Sequence, residues 1–379
     1  MKKASIIISV VALVLVIGGA LLIALDSSER NVKALEDCPV IHELEFGGVY
    51  IDITIDEFNA LGYEYGDSVS VRFSNGYTLE DLPYYNGYYT ANGEELLVAY
   101  PGYPHIRVGI NNGDDLWVIA GLSEGMTASV SLYEAGKYIN IQEVRNLQYK
   151  DDRSLFPGDE VFANFREVTI GNLKDNVFYR SASPCDNQHN RAPYVDALIE
   201  QAQVAFIVDL ADDDAKIQGY MDKEGFSSNY FKGLYQAGKV IALALNMNYG
   251  SDDFKTKVGN GLAAMASNDG PYLVHCTEGK DRTGFVCVLI EAFAGATYEE
   301  IKDDYMVTYF NYYGITEAKD KVKYDTIVES LLDPMIVSIV GNASVDYKTA
   351  DLSSYARAFI ASAGLSDTQI AQLRSKLLK

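Results

Sequence analysis

One short segment carries residues that could do covalent chemistry. It runs from Val274 to Gly284 and reads Val-His-Cys-Thr-Glu-Gly-Lys-Asp-Arg-Thr-Gly. Cys276 stands between a short apolar run, Pro271–Val274, and a nearly all-apolar run, Thr283–Ala294, so a strand should lead into it and a helix should follow. A helix N-terminus offers backbone N–H groups and a favourable dipole, which stabilise a thiolate or a bound phosphate. The segment therefore predicts a cysteine nucleophile in an anion-binding loop.

The other residues of this loop fit a phosphate ligand. Five residues separate Cys276 from Arg282, which lets one loop turn around a tetrahedral anion and lets the guanidinium bind it through two parallel hydrogen bonds. Gly279 permits close approach of the backbone, and the Thr283 hydroxyl is able to donate to the Cys276 sulfur. Such a loop would accept a phosphoryl group on sulfur, and water would then hydrolyse the phosphocysteine. The predicted phosphate-binding residues are Thr277, Glu278, Gly279, Lys280, Asp281 and Arg282.

The loop resembles the signature of the cysteine-dependent protein tyrosine phosphatase superfamily: His-Cys, five residues including a glycine, Arg, then Thr-Gly. Its Gly-Lys-Asp-Arg-Thr-Gly ending is similar to the bacterial tyrosine and lipid phosphatase branch. The resemblance covers about residues 160–379 and implies a phosphomonoesterase with Cys276 as nucleophile, Arg282 as phosphate ligand, and His275 and Thr283 in the site. Four further segments resemble the branch in the same order: Asn164-Phe165-Arg166, Val177–Ser181, Ile207–Leu210 and Asp304–Met306.

The general acid is left open among four aspartates. Protonation of the leaving group requires a carboxylic acid that reaches the ester oxygen. Asp281 lies inside the loop and, by resemblance to the branch, acts as the acid or orients the attacking water. Asp209, Asp212 and Asp213 follow a predicted buried strand, at the edge where open α/β sheets bind ligands. The branch has an arginine after Asp-Leu, where this chain has Ala211, and an acidic cluster here could equally be a solvated loop.

Two arginines outside the loop are further candidates for contacts with substrate anions. Arg180 belongs to the segment that resembles the family's Tyr-Arg-Ser strand end, and Arg191 closes the polar segment Ser183–Arg191. A structural ion pair with a carboxylate is the alternative interpretation of Arg180. The sequence does not choose between them.

No spacing in the sequence is typical of a metal or nucleotide site. His-x-x-x-His, Cys-x-x-Cys and Asp-x-Asp-x-Asp-Gly patterns are absent, and Lys280 lacks the Gly-x-x-x-x-Gly-Lys context of a nucleotide-binding loop. We therefore expect no catalytic metal and no cofactor. The expected partner is a phosphorylated protein, lipid or inositol phosphate; phosphotyrosine is preferred, although the charge of Lys280 suits polyanions. A catalytically silent phosphate-binding surface module is the competing hypothesis.

The length of 379 residues and the pattern of hydrophobic residues predict a tether and two domains. Period-two alternation at 68–73 and 128–133, with Asn-Gly turns between such runs, predicts a small mostly-β domain over 45–155. Alternating strands and amphipathic helices over 160–379 predict an α/β domain, with a central parallel or mixed sheet flanked by helices. Residues 26–44 are polar and predict a tether.

The β-rich segment offers no catalytic cluster. Its strand pattern around Gly66–Val71 and Glu95–Asp114 resembles the β-barrel C-terminal domain of S-adenosylmethionine hydroxide adenosyltransferases, a resemblance that includes no catalytic motif. His42 and His105 are isolated in the sequence, and we interpret them as structural or solvated.

The N-terminus has the features of a membrane anchor or a signal peptide, predicted over 1–25. Lys2 and Lys3 precede an uncharged run, Ala4–Leu25, which as a helix is long enough to span a bilayer core of about 30 Å. Basic residues stay in the cytoplasm, so the catalytic domain is expected outside it. No Ala-x-Ala cleavage site precedes Asp26, which favours a single-pass protein of the cell membrane over a secreted one.

The net charge argues against one class of function, and the cysteines offer one possible disulfide. The chain has 31 Lys and Arg against 53 Asp and Glu, a formal charge of −22, which argues against nucleic-acid binding because phosphate contacts need a basic surface. Cys38 and Cys185 have polar neighbours and are the plausible pair for a disulfide in an exported protein. Cys287 lies in an apolar run and is interpreted as a buried small hydrophobe.

Overall fold

The computed structural model describes residues 30–342 and 344–379, which form two compact units, 30–142 and 143–379. Each unit has its own hydrophobic core. The membrane anchor predicted at 1–25 lies outside the described residues. Among the helices that are described, none combines the length and the apolar character needed to span a bilayer.

The first unit is a closed barrel of seven strands within its described part. The order around the barrel is β1-β2-β6-β5-β4-β3-β7, and β7 pairs with β1. Neighbouring strands are antiparallel except for β4 and β5, which are parallel. Closure pairs both edges of the sheet. The strands are β1 (Leu35–Glu43), β2 (Gly48–Ile51), β3 (Ser68–Phe73), β4 (Thr78–Tyr85), β5 (Glu95–Val98), β6 (Ile106–Ile110) and β7 (Thr127–Glu134).

Alternation along the strands builds the core of the barrel. In β3 the side chains of Val69, Val71 and Phe73 are fully buried, and the residues between them are half-buried or exposed. This is the pattern of a strand with one face on the core. The strand predicted at 68–73 is therefore confirmed with the same bounds.

The structure differs from the predicted segments at both ends of this unit. Residues 35–43, placed in the tether by their polarity, form β1, because Leu35, Cys38 and Val40 pack against the barrel core. A strand that buries one face needs apolar residues on that face only. The compact unit also ends at Gln142 rather than near 155.

The second unit is built on a mixed sheet, five-stranded in its described residues. The order is β11-β10-β12-β9-β8, with β8 antiparallel at one edge and the other four strands parallel. The predicted parallel or mixed sheet is confirmed. The strands are β8 (Arg166–Glu167), β9 (Phe178–Ser181), β10 (Phe206–Asp209), β11 (Val240–Ala242) and β12 (Tyr272–His275).

Helices cover both faces of this sheet. Phe206 and Val208 of β10 belong to the core cluster that includes the helices at 252–267 and 281–293, whereas Ile207 belongs to the cluster that includes the helices at 192–201, 214–221 and 229–236. Burial on both faces explains why β10 is apolar without alternation. In chain order the helices are α1 (Ile55–Ala60), α2 (Leu116–Ile119), α3 (Ile139–Arg145), α4 (Asp159–Phe162), α5 (Ala192–Gln201), α6 (Asp214–Met221), α7 (Asn229–Gln236), α8 (Asp252–Ser267), α9 (Asp281–Phe293), α10 (Tyr298–Tyr313), α11 (Lys321–Ile327), α12 (Asp333–Val340), α13 (Leu352–Ser362) and α14 (Asp367–Leu377).

The cysteines are free thiols, so the disulfide considered for Cys38 and Cys185 is not formed. Cys38 is half-buried in β1 of the first unit, and Cys185 is buried in a core cluster of the second. Cys287 is fully buried in α9, as its apolar context predicts.

Candidate active site

The candidate site lies where three parallel strands end side by side. Pairing aligns Asp209 at the end of β10 with His275 at the end of β12, and His275 with Ser181 at the end of β9. The loops that follow these strands therefore emerge at one edge of the sheet, where α/β sheets bind ligands.

Cys276 opens the loop between β12 and α9. Its side chain is 2% exposed, and α9 begins at Asp281, two residues earlier than the apolar run indicated. Lys280 is the N-cap residue, and no described side chain caps the helix. The first amides of α9 are thus left for a ligand or for water.

Three consecutive carbonyl groups of the loop point away from its centre, because the surrounding scaffold donates to each of them. In a trans peptide the N–H points opposite to the carbonyl, so the amides of residues 278–280 face the interior of the loop. Successive amides facing one point form an anion-binding nest. The contacts are Thr277 O with Ser183 N (3.1 Å), Glu278 O with the Tyr312 hydroxyl (2.6 Å), and Gly279 O with Asn164 Nδ2 (3.2 Å) and Arg180 Nη2 (3.0 Å).

A buried ion pair holds the arginine that binds Gly279. Arg180 Nη1 donates to Asp304 Oδ2 and Arg166 Nε donates to Asp304 Oδ1, both at 2.8 Å. Burial opposes ionisation of Asp304, yet the two guanidinium groups hold its pKa well below the usual value. Arg180 is therefore a structural residue that positions the loop, which is the alternative interpretation left open by the sequence.

Arg191 is also a structural residue. Its guanidinium donates at 2.9 Å to the backbone carbonyls of Lys150 and Phe162 and to the carboxylate of Asp151. The ring of Tyr312 lies 4.9 Å from its guanidinium carbon. With 3% of its surface exposed, Arg191 offers no free face to a substrate.

Arg282 lies in the first turn of α9, across the loop from Thr277. Its Nη2 is 3.3 Å from Thr277 Oγ1, and its Nη1 is 3.4 Å from Leu245 O. These long contacts hold a half-buried guanidinium beside the nest. The hydrogen bond predicted from Thr283 to Cys276 is not formed: Thr283 Oγ1 is buried and has no partner in the described part of the chain.

Gly279 is required by its close contact with the neighbouring strand. Its φ is +66°, and a Cβ at this position would overlap the Ser181 carbonyl and lie 2.9 Å from Ala182 N. The close approach predicted for this glycine is thus real, but its partner is the end of β9. This contact fixes the position of the loop against the end of the sheet.

Comparison with known proteins assigns the family. The family model described as the tyrosine phosphatase family matches residues 160–379. The chain belongs to the tyrosine phosphatase family. No curated protein matches the chain.

Two solved structures are similar to part of this family member. One is P. aeruginosa TpbA, a Cys-to-Ser variant in complex with pTyr, which is 18% identical in sequence. The match covers 52% of this chain and 94% of the TpbA chain, with a TM-score of 0.28. The other is the core catalytic domain of the PP-IP phosphatase SIW14 from S. cerevisiae, in complex with citrate. It is 19% identical in sequence, and the match covers 46% of this chain and 94% of the SIW14 chain, with a TM-score of 0.26.

Two of the candidate acids in this tyrosine phosphatase family member are buried. Asp209 Oδ1 accepts from the amides of Ala211 and Asp212 at 2.9 and 3.1 Å, and Asp212 Oδ1 accepts from the Tyr220 hydroxyl at 3.3 Å. Burial raises the pKa of each carboxyl to about 6, and the charge of Asp209 contributes to the shift at Asp212. Asp209 and Asp212 are 0% and 3% exposed, so the protein encloses both carboxyl groups.

Solvent reaches the other two candidates. The Asp281 side chain is 28% exposed, next in sequence to Arg282, with Lys280 Nζ 3.7 Å from its carboxylate. Asp213 is exposed as well, but its side chain caps α6 by accepting from the amide of Lys216 at 2.8 Å. Asp281 is therefore the candidate that is both within the loop and accessible.

His275 is a buried neutral residue. Burial lowers its pKa to about 4. Its Nδ1 lies 3.4 Å from Cys276 O, its Nε2 lies 3.8 Å from Asp209 Oδ2, and its ring packs edge-on against Phe231. His275 thus contacts the backbone of Cys276 from within the core.

The charge of Lys280 is balanced within its own loop. Its Nζ donates to the Tyr149 hydroxyl at 2.8 Å and lies 3.6 and 3.7 Å from the carboxylates of Glu278 and Asp281. The Tyr149 hydroxyl in turn donates to Glu278, and the His189 ring packs 4.8 Å from the Tyr149 ring. Burial opposes this charge, but the nearby carboxylates raise the pKa of Lys280.

Proposed function

We propose that the chain is a phosphomonoester hydrolase that works through a phosphocysteine intermediate. The observation that carries the proposal is the loop from Thr277 to Gly279, whose three carbonyls are bound by the scaffold so that the following amides face inward. Cys276 begins this nest and Arg282 flanks it, which supports the proposal that a thiol nucleophile and a phosphate ligand act at one anion site.

In the proposed reaction the Cys276 sulfur attacks phosphorus, and the bond from phosphorus to the ester oxygen breaks. The inward amides and Arg282 bind the nonbridging oxygens, and Asp281 gives its proton to the leaving oxygen. Water then attacks the phosphorus of the phosphocysteine and gives a proton to Asp281. The bond from phosphorus to sulfur breaks, and inorganic phosphate and the Cys276 thiolate are released. Exposure supports Asp281 in this role, because Asp209 and Asp212 are enclosed.

The role of Asp281 is tested by the dependence on the leaving group. Asp281→Asn should lower kcat/KM on a phosphotyrosine peptide by about 10²–10³-fold, and much less on an aryl phosphate whose leaving group departs without a proton. The ratio kcat/KM is measured because it reports transfer to sulfur and not the later hydrolysis, in which Asp281 also takes part. Asp213→Asn is the matched control, because asparagine also caps a helix and this variant should keep both rates. Equal losses of Asp281→Asn on the two substrates would contradict its role as acid.

The substrate that we propose is phosphotyrosine rather than a polyphosphorylated inositol or a phosphoinositide. The carboxylates of Glu278 and Asp281 neutralise the charge of Lys280, so this loop has no second free cation beside Arg282 to bind a second phosphate group. The rings of Tyr149 and His189 stand beside the loop, where they suit an aromatic ester. The formal charge of −22 also opposes the approach of polyanions.

A substrate panel with the whole chain tests this proposal. We expect kcat/KM for a phosphotyrosine peptide to exceed that for inositol hexakisphosphate or a phosphoinositide by about tenfold or more. The reverse order would assign the chain to the inositol phosphate or phosphoinositide phosphatases. Binding of every ligand without turnover, and without a phosphocysteine on rapid acid quench, would support the silent phosphate-binding module.

A further inference from the structure

Three buried side chains with metal-binding atoms meet behind the phosphate loop, at the ends of β9 and β10, and His275 at the end of β12 adjoins one of them. Cys185 Sγ and one carboxylate oxygen each from Asp209 and Asp212 lie within 4.8 Å of one another. His275 Nε2 lies 3.8 Å from Asp209 Oδ2. All four residues are at most 3% exposed. From this cluster we infer that the second unit binds one Zn²⁺ ion through Cys185, Asp209, Asp212 and His275.

Three atoms of the cluster have no hydrogen-bond partner in residues 30–342 and 344–379: Asp209 Oδ2, Asp212 Oδ2 and His275 Nε2. Buried polar atoms are normally paired, so three such atoms in one cluster need an explanation. Carboxylate oxygens accept hydrogen bonds or bind cations, and an imidazole nitrogen binds a metal through its lone pair. A cation bound by the two carboxylates and the imidazole would give each of these atoms a partner.

The opposite atom of each of these side chains is already held by the protein. Asp209 Oδ1 accepts from two backbone amides, Asp212 Oδ1 accepts from the Tyr220 hydroxyl, and His275 Nδ1 faces Cys276 O. When Nδ1 carries the ring proton and donates to that carbonyl, Nε2 is left with its lone pair toward Asp209. Outer contacts of this kind orient metal ligands.

The donor set selects zinc among the common cations. Ca²⁺ and Mg²⁺ prefer oxygen ligands alone, whereas thiolate, imidazole and carboxylate together suit Zn²⁺. Tetrahedral zinc with bonds of about 2.0–2.3 Å separates its ligand atoms by about 3.5 Å, so side-chain shifts on the order of 1 Å bring Cys185, Asp209 and Asp212 to one ion. In the proposed site His275 joins them from its position beside Asp209. The Cys185 thiol releases its proton to solvent when the sulfur binds.

A route for the ion is present beside the cluster. A cavity of about 260 Å³ is lined in part by Cys185, Asp186 and Tyr220. Tyr220 donates to Asp212, so the cavity wall reaches the cluster itself. Asp186 and Glu224 add two acidic side chains to this wall against one lysine, Lys223, and this balance favours the entry of a cation.

Bound zinc would join the three strand ends from which the catalytic loop and its neighbours emerge. His275 directly precedes Cys276, and Asp209 and Cys185 belong to the adjacent strand end and the loop after β9. Because the ligands come from separate chain segments that meet only in the native state, Zn²⁺ should bind the folded chain in preference to the unfolded chain and raise its Tm.

Cobalt titration of the whole chain tests the site without reference to turnover. We would remove metals with a chelator and titrate Co²⁺ into Cys276→Ser, so that the proposed nucleophile cannot be the ligand. The expected result is one equivalent bound, with the visible bands of tetrahedral Co²⁺ and a thiolate-to-Co²⁺ charge-transfer band, all displaced by Zn²⁺. Zn²⁺ should also raise the Tm of the wild-type chain.

Variants of the proposed ligands test whether Co²⁺ binds at this site or at another cysteine. On the same background Cys185→Ser should abolish the charge-transfer band. Asp212→Asn should weaken Co²⁺ binding by at least about 10–100-fold, the loss already typical of removing an outer contact, and the buried thiol control Cys287→Ser should change neither property. Absence of stoichiometric binding, or a charge-transfer band that persists in Cys185→Ser, would overturn the proposal. If Cys185→Ser fails to fold by circular dichroism, unchanged Co²⁺ affinity in Asp212→Asn would overturn it instead.

Discussion

Cys276→Ser should lower the turnover of an aryl phosphate by about 10⁵–10⁶-fold, the loss typical of removing an enzyme's nucleophile. A hydroxyl at this position stays protonated and attacks phosphorus poorly. The loop should keep its shape, because its carbonyls are held by Ser183, Tyr312, Asn164 and Arg180 and not by the sulfur. Phosphate or vanadate should therefore still bind. Steady-state kinetics and ligand titration measure the two properties separately.

Cys38→Ser is the matched control, because this free thiol lies in β1 of the barrel. It should retain the wild-type rate, and rapid acid quench should trap a phosphocysteine in Cys38→Ser but not in Cys276→Ser. Turnover of Cys276→Ser near the wild-type level would refute the proposed function.

Asp304→Asn should destabilise the second unit by about 3–5 kcal/mol, the cost of breaking a buried ion pair by removing one partner. Asp304 accepts from Arg166 and Arg180, and the buried Arg180 would be left without this carboxylate. Because Arg180 also donates to Gly279 O, we expect the loop to loosen and turnover to fall along with stability. Urea unfolding followed by circular dichroism gives the first effect, and kinetics well below the unfolding midpoint give the second.

The neighbouring residue supplies the control for this variant. Asp303 is exposed on the same helix, so Asp303→Asn makes the same chemical change without loss of a buried pair. Its effect on the free energy of unfolding should stay within about 0.5 kcal/mol. Equal unfolding free energies for the two variants would contradict the assigned role of Asp304.

The strand, loop and helix that carry the site could be predicted because their signals are local. The apolar run before Cys276 forms β12, and the run after Arg282 forms α9, each within two residues of its predicted bounds. The order of nucleophile, glycine and arginine is likewise contiguous in the chain. Backbone periodicity and helix-terminus chemistry act over a few residues, and a sequence displays them directly.

The roles of other residues depended on partners far away in the chain. Arg180 is a positioning residue because of Asp304, 124 residues later, and Lys280 contacts the Tyr149 hydroxyl, 131 residues earlier. The segments containing Asn164, Arg180 and Asp304 resemble the family, but the resemblance alone did not say that the first two bind Gly279 and that Asp304 binds Arg180. A charged residue can bind a ligand or a buried partner, and only the tertiary contact distinguishes the two.

Burial likewise was decided only by the tertiary structure. Asp209, Asp212, Asp213 and Asp281 have the same side chain, but packing encloses the first two, turns the third into a helix cap and leaves the last accessible in the loop. The sequence by itself determined a cysteine and an arginine on an anion-binding loop at a helix N-terminus, since these features are local. Which carboxylates face substrate and which face the core was determined by contacts between distant segments, because the environment of an acid is created by residues that only folding brings beside it.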